Sequence, residues 1–199
     1  VLVPPWSDTR HGAWQKRLRE HPAGRALAPY ATALAAKYLW LREHRPHTAA
    51  RIRRACHAKD FLLYRLVGEH LTDWSSGPDG AHWPTALLEA FAVEPNLLPA
   101  PALPWQLAGT LTPAAAAALG LPIATPVAVG AHDGICANVG AGATRPGDCA
   151  ITLGTHAVVR AIASEPIADA NRFYGLPPDR HVYGGNGLMG GRAADWFLD

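Results

Sequence analysis

No apolar run in this 199-residue chain approaches the ~20 residues that a membrane-spanning helix needs, so a helical membrane span is not expected. A surplus of either charge is also missing. Eighteen basic residues face sixteen acidic ones, a net charge of +2, which gives no electrostatic case for nucleic acid or an anionic membrane as partner. Cysteine is scarce: Cys56, Cys136 and Cys149 are odd in number and lack metal-ligand spacing, so a disulfide scaffold is not expected and a reduced cytoplasmic setting is. There is no internal repeat. No signal-peptide pattern is read where Pro4, Pro5 and Asp8 already stand. The chain does not start with Met and stops at Asp199 just after an apparent helix, so it is expected to be an internal fragment. What is abundant is apolar: 49% hydrophobic against 17% charged residues, enough for a folded core.

The richest stretch runs from Ile123 to Arg160. Pro126 to Val129 has strand length, and Gly130 opens a turn that leads to Asp133, where a small-residue helix begins. Read from the residues alone, Asp133 is an N-cap that satisfies free N–H groups at the positive end of that helix. Arg145 to Asp148 forms a turn, Cys149 to Leu153 a strand, Gly154-Thr155-His156 a second glycine turn, and Ala157 to Val159 a further extended segment. Two glycine turns at strand ends, one with the Thr155 hydroxyl, suit phosphate oxygens. An aspartate beside them suits phosphoryl transfer, in which position and charge matter more than covalent chemistry.

Around this stretch the chain reads as mainly helical before it and mainly extended after it. Helices are expected over Ala31 to Glu43, from Pro46 through Ala55, over Asp60 to Val67, over Leu87 to Val93 and through the alanine run 114–118. Ser7 or Asp8 is expected to cap a helix carrying Trp14 and Leu18. The basic residues Arg51, Arg53 and Arg54 are read as a solvated helix face. Thr72 to Gly80 reads as a polar loop, Leu97 to Trp105 as an extended connector and Glu165 to Asp179 as loop. His181 to Tyr183 reads as a short strand. Gly184 to Gly187 reads as a turn into a helix over Leu188 to Leu198, where the glycines either approach a ligand or allow close packing.

Several segments together resemble the FGGY family of carbohydrate kinases. The stretch from Gly130 to Arg160 is similar to the family's Gly-x-x-Asp turn, small-residue helix and strand ending in Leu-Gly-Thr-Ser. Trp6 to Arg10 resembles its Trp-x-Asp-x-Arg, Lys59 to Glu69 its Lys-Asp-Tyr-Leu segment, and Thr72 to Ser75 its Thr-Asp-x-Ser. Each match is short, but they occur in the family's order and spacing over nearly the whole chain. The resemblance implies an α/β, actin-like ATPase (ribonuclease H-like) fold. Residues 1–143 would end a first, sugar-binding domain, and residues 144–199 would open a second, ATP-binding domain. It implies an enzyme, a carbohydrate kinase that transfers phosphate from ATP with Mg²⁺ to a hydroxyl of a sugar or sugar acid. Asp133 would be the catalytic base, with Trp6, His132 and Gly134 at the substrate and Gly154 and Thr155 at the ATP phosphates. No resident metal is expected, and a homodimer is one assembly open to it.

The sequence departs from the family at Gly134, where Gln or Asn is frequent, and at His156, where Ser follows Gly-Thr. His132 either orients Asp133 or is an ordinary hydrogen-bonded histidine. The run from Asp133 to Asn138 leans toward gluconate-kinase-like members, while the Trp6 and Lys59 segments fit xylulose-kinase-like ones equally. The resemblance also implies missing parts, an Asp-x-Gly-Thr phosphate loop before the chain and an adenosine-binding glycine motif after it, so the fragment alone is expected to be inactive. Two other readings stay open. One is a non-catalytic sugar-binding or interaction protein of the same fold. The other is a metal-dependent phosphohydrolase using His132 and Asp133, against which His57 and His70 show no matching ligand spacing.

Overall fold

In the computed structural model the described residues are 5, 7–25, 27–78, 80–154, 156–167, 172–176, 180–187, 190–191 and 196. The chain divides into two compact units, Val1–Gly130 and Ala131–Asp199.

The first unit is built on helices. α1 (Gly12–Glu20) and α2 (Pro22–Arg25) precede α3 (Pro29–His44), whose first residue is a proline with the right φ preset and no N–H to leave unpaired. The α3 face that meets the core carries Leu34, Ala35, Ala36 and Leu39, all buried; the small alanines let α1 bring Leu18 close. Full burial of Leu39 alone removes a side chain worth about 1.5–3 kcal/mol from water. Trp83, Leu87 and Leu97 close this core from the other side. The helix expected from Pro46 through Ala55 is only α4 (Pro46–Ala49). Beyond it Ile52 and Ala55 still pack inward from irregular backbone, while Arg51, Arg53 and Arg54 are exposed. α5 (Ala58–Val67) follows and stops at Gly68.

Two expected connectors turn out to be strands. β1 (Leu71–Asp73) lies in the segment read as a polar loop, and it pairs in parallel with β2 (Ala100–Ala102) from the extended connector. Polar residues earned the loop reading, yet Thr72 and Asp73 are completely buried, so tertiary partners override local polarity here. α6 (Thr85–Ala90) and a single 3₁₀ turn (Pro95–Leu97) lie between these strands. β3 (Leu107–Thr110) pairs antiparallel with β4 (Pro126–Ala128). Between them stands α7 (Pro113–Leu119), capped by Thr112, whose hydroxyl accepts from the Ala115 N–H at 3.2 Å.

Among the described residues, the second unit holds a helix and a four-stranded sheet. α8 (Asp133–Gly140) is followed by β5 (Cys149–Leu153), β6 (Ala157–Ala163), β7 (Arg172–Leu176) and β8 (Arg180–Gly187), in the antiparallel order β5-β6-β8-β7. β7 occupies part of the segment expected to be loop; the prolines that suggested a loop, Pro166, Pro177 and Pro178, fall outside the strand. Gly184 to Gly187 belong to strand β8 instead of a turn. A Cβ at Gly184 would stand 2.0 Å from the Val159 carbonyl oxygen, so glycine here marks a close approach of β6. The helix expected over Leu188 to Leu198 lies mostly outside the described residues. One sheet face packs Ile162 and Val182 against Ile135 of α8. On the opposite face Ile151 pairs with Val159, and both are exposed among the described residues.

Burial depresses the proton affinity of three imidazoles in the first unit. Desolvation is the main cause at His11, His57 and His70, helped by Lys37 at His11 and by Arg54 at His70. These rings resist protonation in the fold but not in the unfolded chain, whose histidines titrate near about 6.5. Their neutral state is therefore without penalty above that pH, and stability is lost as pH falls below it toward the folded values. Asp8, held well below the usual carboxylate range by the Arg10 side chain, acts only at pH values below its ordinary titration and cannot offset this. Thermal midpoints are expected to fall between pH 7.5 and pH 5; a midpoint that is flat over this interval would contradict the assignment.

Candidate active site

His132, Asp133 and Gly134 sit at the start of α8, but not in the expected arrangement. The N-cap is His132, with extended backbone, and Asp133 is the first helical residue. The Gly134 N–H lies 2.6 Å from Asp133 Oδ1 and 3.1 Å from His132 Nδ1, and Nδ1 is itself 2.8 Å from Asp133 Oδ1. One nitrogen cannot both accept from Gly134 and donate to the carboxylate. We assign the proton to Nδ1, because the shorter path for the Gly134 N–H leads to Asp133. Oδ1 then takes two hydrogen bonds, and no partner for Oδ2 is found among the described residues. The Asp133 side chain is 93% exposed against 21% for His132. The result is a solvated carboxylate, oriented through one oxygen and open at the other, at the positive end of a helix.

The second glycine turn is partly engaged with its own surroundings. The Gly154 N–H donates to the His156 carbonyl at 3.1 Å, and the Gly154 carbonyl accepts from the Gly191 N–H at 2.6 Å. Thr155 and Trp6 lie outside the described residues.

Pro5, Asp8 and Arg10 are anchored by side-chain contacts. Arg10 reaches Asp8 through Nε at 3.0 Å and through Nη2 at 2.7 Å, and its guanidinium lies 4.3 Å over the Trp40 ring. Lys37 donates to the Pro5 carbonyl at 3.2 Å. Asp8 is thus partnered by Arg10 and does not cap α1. Sequence reasoning missed Trp40 and Lys37; they sit in the long helix α3, and only their contacts with Arg10 and Pro5 set them apart.

A buried ionic cluster lies at the start of α5. Asp60 caps that helix by accepting from the His57 N–H at 3.1 Å, and Asp73 accepts from the Ser75 N–H at 2.8 Å and from the Ser75 hydroxyl. Both carboxylates are fully buried, and Lys59 Nζ joins them, 2.9 Å from Asp60 Oδ1 and 3.2 Å from Asp73 Oδ1. Lys59 and Asp60, adjacent in the sequence, form an ion pair, and Asp60 also caps the helix. Their sharing with Asp73 became visible only through the β1 pairing. Nearby Cys56 has its thiol pushed up to about 11, mainly by burial, so it stays protonated and unreactive near neutral pH. Among the described residues no three His, Cys, Asp or Glu side chains are placed to hold a metal, and no helix is long and apolar enough to cross a membrane.

Comparison with known proteins gives the class. The model of the FGGY family of carbohydrate kinases, N-terminal domain, matches residues 5–140, and the chain belongs to this family. It is 25% identical to the gluconokinase of Bacillus subtilis (strain 168), over 98% of this chain and 41% of that protein. It is 32% identical to the xylulose kinase of Streptomyces coelicolor, over 82% of this chain and 36% of that one. The structure of the xylulose kinase from Rhodospirillum rubrum superposes with a TM-score of 0.82 at 26% identity, over 98% of this chain and 44% of that one. The fold is accordingly the actin-like ATPase fold of these sugar kinases. The chain spans about two fifths of the length of the relatives it matches.

Proposed function

We propose that the protein to which this chain belongs transfers the γ-phosphoryl group of Mg·ATP to a hydroxyl of a sugar or sugar acid. The observation that carries this reading is the Asp133 carboxylate, fixed through Oδ1 by His132 and the Gly134 N–H and open at Oδ2. Oδ2 accepts the hydroxyl proton as the oxygen attacks phosphorus. The transition state is loose and needs little activation of the nucleophile, so a weak base in the right place suffices. His132 holds the carboxylate and, with Trp6 and Gly134, borders the sugar. Gly154 shapes its turn, since its N–H is already used, and the donor to the ATP phosphates is the Thr155 hydroxyl. In this reading residues 1–143 end the sugar-binding domain, 144–199 open the ATP-binding domain, and the protein works in the cytoplasm.

The test is an ATP-consumption assay of the full-length protein against a panel of sugars and sugar acids that includes xylulose and gluconate. One of these should be phosphorylated. No turnover with any of them would overturn the proposal in favour of a non-catalytic sugar-binding protein of the same fold. Thr155→Val in the same protein removes one phosphate donor and is expected to cost about 1–3 kcal/mol in the use of ATP. That corresponds to a fall of roughly 5- to 150-fold in kcat/KM for ATP. Unchanged ATP kinetics would remove Thr155 from the site.

A further inference from the structure

We propose that Lys59 is a positioning residue for Asp133, acting through the last peptide of the first unit; the proposal rests on the reading of Asp133 as base. Lys59 Nζ has three protons and meets three acceptors: Asp60 Oδ1 at 2.9 Å, Asp73 Oδ1 at 3.2 Å and the Val129 carbonyl at 3.4 Å. The first two are fully buried carboxylates, each tied to backbone, Asp60 to the His57 N–H and Asp73 to the Ser75 N–H. They fix the ammonium in space. The third acceptor lies just past β4, in a segment with no cation of its own. Its carbonyl belongs to the same peptide plane as the Gly130 N–H, which donates to the Pro104 carbonyl at 2.9 Å. That plane is therefore pinned at both ends, by Lys59 on the oxygen and by Pro104 on the nitrogen.

The residue after the pinned plane is Gly130, with φ +78, and the Lys59 Cδ lies 3.9 Å from where a Cβ would stand. Glycine has no Cβ to oppose other backbone conformations, so once the carbonyl is released only the Gly130 N–H bond to Pro104 still holds this plane. Asp133 is three residues further along the chain. A change of backbone direction at Gly130 is passed to it over a short span, and a misplacement of about 1 Å at a reacting group can lower turnover about 10²-fold.

The experiment measures steady-state kinetics of the full-length protein carrying Lys59→Met. Turnover should drop about 10- to 100-fold, with KM for ATP changed far less. A purely structural role for Lys59 would lower the thermal midpoint without this split. Should the single variant fail to fold, Lys59→Met with Asp60→Asn and Asp73→Asn removes the stranded buried charges and is measured in its place. In an Asp133→Asn background, Lys59→Met should add no further loss, because it acts only through that carboxylate. Wild-type turnover in a folded Lys59 variant, or a loss that adds to that of Asp133→Asn, overturns the proposal while leaving the base reading intact. Normal turnover in Asp133→Asn alone overturns both.

Discussion

Asp133→Asn in the full-length protein is expected to fold normally and to lose about 10²–10⁴-fold in turnover. The substitution is close to isosteric, and an Asn Oδ1 still accepts from the Gly134 N–H that now reaches Asp133 at 2.6 Å. His132 keeps the N-cap position, and the Asn oxygen keeps the Gly134 contact, so the start of the helix is preserved. A side chain 93% exposed contributes no packing that the change could remove. What disappears is the proton acceptor at Oδ2. Sugar binding should change less than turnover, because the lost interaction grows as the hydroxyl proton moves. Circular dichroism and thermal melting check the fold, and phosphoryl transfer checks the chemistry. Near-normal turnover in a folded Asn variant would leave Asp133 as a helix-start residue and would sink the mechanism.

The site residues were legible where chemistry is written locally, and obscure where it depends on distant partners. Asp133 stands out because a glycine turn, a carboxylate and a small-residue helix follow one another within the strand-to-helix step. Its helical position was misjudged by one residue, since histidine is not a usual N-cap and Asp is. β5 and β6 were legible from continuous β-branched and apolar runs bounded by turn residues. β1 and β7 were not. β1 has three residues, two of them polar, and becomes a strand only because β2 runs beside it in parallel. β7 is framed by prolines that look like loop until the pairing with β8 is known. Likewise Lys59 and Asp60 are adjacent in sequence, whereas the third member of the cluster, Asp73, stands fourteen positions beyond Lys59.

That third member should matter most to stability. Asp73→Ala is expected to destabilise the first unit by about 3 kcal/mol, the lower end of the range for breaking a buried ion pair, because the Lys59 side chain is still 25% exposed and can turn toward water. Two groups lose the Asp73 carboxylate together: the Lys59 ammonium keeps Asp60 as counter-charge, and the Ser75 N–H and hydroxyl lose one acceptor in a buried turn. Asp73→Asn separates these terms. It keeps an oxygen for the Ser75 N–H while removing the charge, so it should fall between wild type and the Ala variant. Urea unfolding measures both, and the midpoint should move with little change in slope. A shift equivalent to less than about 1 kcal/mol for Asp73→Ala would place the pair in the weak class of solvent-exposed ion pairs. Asp60 alone would then suffice to hold the Lys59 ammonium.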